Sequence, residues 1–206
     1  MSDKFSKGVD FNSIRNEGIK IFFQKPTSKS QIVQYNSILE KASLKKKEYT
    51  ALINYLKKKK PSDLDIKVRE FHDAAFGKID CLLCANCCSS ISPALYDKDI
   101  ERIAKALKTK PSGVVETYLH QDEEKDWVFR KTPCPFLGEE NLCLVYEARP
   151  LACKEYPHTN RTRFYQVLDL TLKNAAICPA VCLVMEELKG YYRRPKSQDP
   201  KPKTQE

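Results

Sequence analysis

Apolar positions first recur at helical spacing in Tyr35, Ile38, Ala42, Tyr49, Leu52 and Leu56, a stripe interrupted at Lys45-Lys46-Lys47. The stripe predicts a helix from about residue 29 to 60. Ser28 and Gln31 stand at capping-box spacing, and Pro61 supplies a stop. Leu64, Val68, Phe71 and Ala75 mark one face of a second helix from about Asp63 to Phe76, with Ser62 as cap and Gly77 as close. The short Lys60-Pro61-Ser62 link suits an antiparallel helical hairpin. Farther on, Asp97 opens a helix with Ile100, Ile103, Ala104 and Leu107 inward, and Pro111-Ser112 starts a short one through Leu119. Trp127-Val128-Phe129 reads as a strand, Arg163 to Leu168 as a second, Gly138 to Asn141 as a turn and Pro179 to Leu188 as a helix. Residues 1–27 show weak periodicity and are expected to form an irregular arm. Residues 193–206, rich in Pro, Lys and Gln, are expected to be disordered.

The fold class expected is α+β and mostly helical: a small metal-organised, cysteine-rich domain over residues 78–192, preceded by a basic arm and hairpin over residues 1–77. The formal charge of +9 is uneven. Residues 1–80 carry 17 Lys+Arg against 10 Asp+Glu, whereas residues 81–180 carry 13 of each. The polar start MSDKFSKGVDFNSIRNEG lacks the apolar core of a signal peptide. The longest apolar run, Ala175 to Met185, falls well short of the ~20 residues that cross a bilayer. The expected location is therefore a reducing cytoplasm, where clustered thiols are metal ligands more often than disulfides.

Nine cysteines, an odd number, do not close a disulfide framework, and only three histidines accompany them, so thiolate must dominate any coordination shell. Four stand within eight residues: Cys81, Cys84, Cys87 and Cys88. Two-residue gaps let a tight loop bring Cys81, Cys84 and Cys87 to one centre, because zinc–sulfur bonds are only about 2.3 Å long. The same spacing serves iron–sulfur clusters, in which a further cysteine followed by proline comes from elsewhere in the chain. Cys134-Pro135 and Cys178-Pro179 both have that form. Cys143 and Cys153 are further candidates. Cys178 precedes the favoured first residue of a helix, where backbone N–H groups and the macrodipole stabilise thiolate. Cys182, one turn later, reads as a core residue beside Val181 and Met185.

In this order the motifs are Cys81, Cys84, Cys87 and Cys88, then Asp97 to Ala104, Cys134-Pro135-Phe136-Leu137, Cys143-Leu144-Val145-Tyr146-Glu147-Ala148-Arg149-Pro150, Cys153-Lys154-Glu155-Tyr156-Pro157 and Cys178-Pro179. Over about residues 78–182 the chain resembles the cysteine-cluster proteins with the CxxCxxCC signature (YkgJ-like), described as zinc- or iron-chelating domains. The resemblance implies a small mixed domain and eight metal-binding cysteines: Cys81, Cys84, Cys87, Cys88, Cys134, Cys143, Cys153 and Cys178. A related cluster in flagellin lysine methylases raises the alternative of an enzyme or accessory component of protein modification with an iron–sulfur centre.

In an extended segment Cys87 and Cys88 would face opposite sides, which suggests two centres. Cys81, Cys84 and Cys87 would take one distant ligand. Cys88 would take three of Cys134, Cys143, Cys153 and Cys178. The competing picture is one four-ligand site beside four structural cysteines. Between the candidate ligands, Arg149 would donate to a thiolate or bridge to Glu147 or Glu155. His158 reads as a solvent-facing loop residue rather than a ligand, and His72 and His120 carry no partner signal. The lysine runs 45–47 and 57–60 read as solvated helix faces before nucleic-acid contacts. They give the hairpin a surface for an acidic or protein partner, the basis of a third reading as a zinc-stabilised interaction module. Nothing points to a membrane partner. No glycine-rich phosphate loop or nucleophile elbow is present.

Overall fold

The computed structural model describes residues 29–193. The expected irregular arm, the Ser28 cap and all but the first residue of the expected tail lie outside the described residues. The stripe over residues 29–60 forms two helices, α1 (Lys29–Leu44) and α2 (Lys46–Lys59), which break at Lys45. At this break the Lys45 side chain pairs with Glu186 at 2.9 Å. Next come α3 (Leu64–Phe76), α4 (Cys81–Cys84), α5 (Asn86–Ser90), α6 (Asp97–Ala106) and α7 (Pro111–Tyr118). Strands β1 (Leu119–Gln121) and β2 (Trp127–Phe129) pair antiparallel, Leu119 opposite Phe129. Helices α8 (Leu151–Glu155), α9 (Leu168–Asn174) and α10 (Pro179–Arg193) follow within the described residues. The fold is α+β and mostly helical.

Two hydrophobic cores flank the cysteine run. In the larger, Tyr35, Tyr49, Leu52, Ile53, Leu56 and Val68 pack with Phe164, Val181, Met185 and Leu188. Helix α10 is its centre: α3 and α1 both lie against it. In the smaller, Ile100, Ile103, Leu107 and Val114 pack with Leu119, Phe129, Phe136 and Val145. The inward face predicted for α6, Ile100, Ile103, Ala104 and Leu107, is buried throughout. Gly77 keeps right-handed helical geometry (φ −67°), so α3 ends without a left-handed glycine, and Asp63 rather than Ser62 is its cap residue.

The segment expected as a second strand, Arg163 to Leu168, is instead a 3-10 turn (Phe164–Val167) leading into α9. The Asp65 carboxylate accepts the backbone N–H groups of Arg163 (2.6 Å) and Phe164 (2.9 Å). That clamp fixes Arg163 in the left-handed region at φ 57°, which no strand continues through.

Helices α1 to α3 are built into the larger core rather than standing apart from it. Lys189 on α10 bridges Glu48 (3.1 Å) and Glu186 (3.0 Å), and Lys57 pairs with Asp169 (2.6 Å). The Tyr35 hydroxyl accepts the backbone N–H of Asp80 (3.0 Å), the residue before Cys81. Leu56 has no exposed surface. Its truncation in Leu56→Ala is expected to cost about 2–5 kcal/mol, read as a lower urea midpoint with unchanged slope. Deleting residues 1–60, which removes five of these core side chains and the Tyr35 contact, is expected to abolish cooperative unfolding. A soluble, cooperatively melting truncation would show that the hairpin is separable.

Candidate metal centre

Asp80 caps α4, its carboxylate accepting the Leu82 N–H at 2.8 Å. One turn later the chain reverses at Ala85, which adopts φ 42° between α4 and α5. The cysteine run is thus two short helices meeting at a left-handed hinge, not a single loop. Cys87 and Cys88 are successive residues of a helix, about 100° apart around its axis rather than on opposite faces of an extended segment. Their sulfurs lie 4.0 Å apart.

Long-range contacts bring the other cysteines to this run. The Asn86 amide donates to the Ile177 carbonyl at 2.6 Å, which sets Cys178 beside α5. The Cys134 N–H donates to the Cys88 carbonyl at 2.8 Å. The Asn141 amide donates to the Leu82 carbonyl at 2.8 Å, and a bridge between Leu137 and Cys143 closes that loop back toward Cys134. Cys153 lies on α8, whose first N–H, from Leu151, donates to Asp99 at 3.1 Å. Asp99 is 1% exposed and also accepts from the Tyr96 N–H (3.0 Å) and from the Arg102 guanidinium, which in turn donates to the Arg149 carbonyl (3.2 Å).

All nine cysteines are free thiols. Burial is the main cause holding Cys81, Cys84 and Cys143 above the ordinary thiol range. It pushes Cys134 and Cys178 up to about 11 and Cys153 to about 12. Backbone N–H groups pull the other way, toward thiolate. The backbone N–H groups of Asn86 near Cys84, Phe136 and Leu137 near Cys134, Val145 near Cys143, and Ala180 and Val181 near Cys178 offset part of that rise. The last pair comes from the first turn of α10, as the Cys-Pro sequence leads one to expect. Cys87 and Cys88 share a thiol–thiol contact in which either can donate, and their closeness opposes ionisation of both at once. Among the described residues, no three His, Cys, Asp or Glu side chains converge at metal-holding geometry.

Cys88 is a neighbour common to Cys81, Cys84, Cys87, Cys134, Cys143 and Cys153. Cys87 is raised further by Cys178 and Cys81, and Cys178 by Cys81 and Cys84. Cys153 feels Cys134, Cys88 and Cys143. Cys182 stands apart: it is 1% exposed and its thiol donates to the Ala175 carbonyl at 2.9 Å, in keeping with a core role.

Arg149 rests 3.8 Å from the Tyr146 ring centre, and its charge draws down both Cys143 and Cys153. Among the described residues it makes no ion pair with Glu147 or Glu155, so the bridging expected of it is not formed. His158 is largely shielded, with its side chain 18% exposed and Nδ1 3.7 Å from Glu155. It lines a cleft of about 520 Å³ with His72, Lys154, Tyr156 and Arg161. His72, which had no partner signal, meets the Thr159 hydroxyl at 2.7 Å.

Two residues of this region were quoted in the motifs without a role. Asp99 is the anchor of α8 described above. The Tyr156 hydroxyl is buried and has no hydrogen-bond partner among the described residues. Burial raises its pKa most, followed by the nearby Cys178, Cys87, Cys84 and Cys182. An orphaned O–H among thiols fits a site whose sulfurs become anionic acceptors when they bind metal.

No curated protein and no solved structure matches the chain. Among the described residues no helix is long and apolar enough to cross a membrane. Residues 80–183, just over half of the chain, match the CxxCxxCC family, described as a putative zinc- or iron-chelating domain. The chain belongs to the CxxCxxCC family of zinc- or iron-chelating domains.

Proposed function

We propose that the protein binds zinc or iron through the thiolates of Cys81, Cys84, Cys87, Cys88, Cys134, Cys143, Cys153 and Cys178, in a reducing compartment such as the cytoplasm. The observation that carries this reading is that long-range contacts gather cysteines from distant segments around the Cys81–Cys88 run: the Asn86–Ile177 bond brings Cys178 to it, and the Cys134 N–H donates to the Cys88 carbonyl. Zinc would supply a structural cross-link there, and iron, as ions or an iron–sulfur cluster, would add electron transfer. The chain's own part is to hold the sulfurs. Asp80 caps α4, Asn86 and Asn141 tie the run to distant loops, and Asp99 seats α8. Tyr156 offers a proton to the sulfurs around it. Residues 78–192 would form the metal-binding part, with residues 1–77 buttressing it.

The decisive measurement is metal content and absorption of protein purified anaerobically. Stoichiometric zinc in a colourless preparation, or iron with broad visible absorption, is expected. Folded, reduced protein that retains neither metal and takes up neither on reconstitution would overturn the reading. Tyr156→Phe supplies a test with opposite signs. Without metal, loss of an unsatisfied buried hydroxyl should stabilise the fold by about 1–3 kcal/mol. With metal, loss of its donor to thiolate should weaken binding, by about 10–100-fold if it acts as other outer-shell donors do. Paired thermal melts and chelator competition separate the two effects.

A further inference from the structure

We propose that the eight sulfurs divide into two adjoining four-thiolate metal centres, Cys81/Cys84/Cys87/Cys178 and Cys88/Cys134/Cys143/Cys153, which meet at the Cys87–Cys88 step. This rests on the metal-binding reading above and adds the partition to it. Spacing alone leaves both Cys134 and Cys178 eligible to complete the first set, and the packing separates them. Cys84 and Cys178 lie against the larger core, and the Asn86–Ile177 hydrogen bond pins their segments together. Cys134 and Cys143 lie against the smaller core. The Cys134 N–H reaches the Cys88 carbonyl, and the Leu137–Cys143 bridge holds the two strands of that loop together. Asp99 seats Cys153 from the same side, through α6 of the smaller core.

The 4.0 Å between Cys87 and Cys88 does not by itself divide them. Two sulfurs on one tetrahedral ion with bonds of about 2.3 Å would lie about 3.8 Å apart. The packing divides them: Asn86, next to Cys87, holds Ile177 and so Cys178, whereas the Cys88 carbonyl accepts the Cys134 N–H of the loop that carries Cys143. Cys88 is also felt by Cys81 and Cys84, so the centres touch. Their surroundings differ in charge. Tyr156, a neutral donor, faces the first set, and the Arg149 cation faces Cys143 and Cys153 in the second. Two dianionic or more highly charged centres side by side repel, and a cation at one of them offsets part of that cost. The two sites should therefore differ in affinity.

The test is anaerobic titration of metal-stripped, reduced full-length protein with Co²⁺ and then Zn²⁺ as probes, following sulfur-to-cobalt absorption and bound metal per chain. Two ions are expected, taken up in two resolvable steps. Cys178→Ser and Cys143→Ser, each checked for folding, should each lose about half of the metal, and a different half. Arg149→Gln and Tyr156→Phe leave every sulfur in place. The first should weaken only the step lost in Cys143→Ser, and the second only the step lost in Cys178→Ser. Saturation at one ion per chain would overturn the partition while leaving metal binding intact, as would loss of all metal in either cysteine variant while folded. If the cysteine variants fail to fold, the wild-type stoichiometry and the two conservative variants still decide it. No uptake at all would sink both this proposal and the reading it rests on.

Discussion

Stripping the metal under reducing conditions is expected to lower the melting temperature by more than 10 °C, and to loosen the smaller core before the larger. In the proposed centres, eight thiolates would tie together α4, α5, α8, the start of α10 and the loops that carry Cys134 and Cys143. Ligation of a structural zinc contributes on the order of 10 kcal/mol in small metal-folded domains, comparable to the whole stability of an ordinary domain. The effect should not be uniform along the chain. Helices α1, α2, α3 and α10 bury a continuous apolar surface that does not depend on sulfur, from Tyr35 through Leu188. The smaller core has far fewer buried residues and is bounded on one side by Cys134 and Cys143. Hydrogen exchange read by segment should show residues 95–155 losing protection first, and α3 and α10 last. An unchanged melt after verified metal removal would mean that the two cores stand without ligation.

The helices were legible wherever one face repeats at helical spacing and local signals mark the ends. Helix α6 shows its whole inward face in the sequence, and Pro179 announces the start of α10. The cysteine motif was equally legible, since spacing is a local property. What the chain does not display locally are features fixed by partners far away. Lys45 at the α1–α2 break pairs with Glu186 on a distant helix, and the run Arg163 to Leu168 looks strand-like until Asp65 seizes two of its N–H groups. Extended geometry at Cys87-Cys88 was the natural expectation for a metal-binding loop. The αL residue Ala85 instead allows two helical turns back to back. Tyr156 gave no signal because its role depends on being left without a partner, which only burial reveals. The basic hairpin shows the same limit. Lys46, Lys47, Lys58, Lys59 and Lys60 are exposed, as a solvated face should be, but Lys45 and Lys57 are spent on α10 and α9.

Asp99→Asn is expected to be among the most damaging single changes in the chain that touches no cysteine. Asp99 is nearly solvent-free, and its two oxygens serve three donors: the Tyr96 N–H, the Leu151 N–H and the Arg102 guanidinium. The amide keeps the shape but has one accepting oxygen, so at least one donor faces an N–H₂ group and loses its bond. Arg102 would be left without its counter-charge, and its buried Nε already has no partner among the described residues. Breaking a fully buried pair costs about 3–5 kcal/mol. The Arg102 side chain is 39% exposed and solvent offsets part of that loss, so about 3 kcal/mol is expected. In a domain of this size that corresponds to a fall in melting temperature on the order of 10 °C. The damage should also reach the metal. Leu151 opens α8 and Cys153 lies two residues on, so loosening the Leu151 N–H lets that sulfur move relative to Cys134 and Cys143. Chelator competition should show faster metal loss from Asp99→Asn than from Leu56→Ala, even if the two are equally destabilised, because Leu56 lies in the other core. Equal loss rates at matched stability would mean that Asp99 supports the fold alone and does not position Cys153.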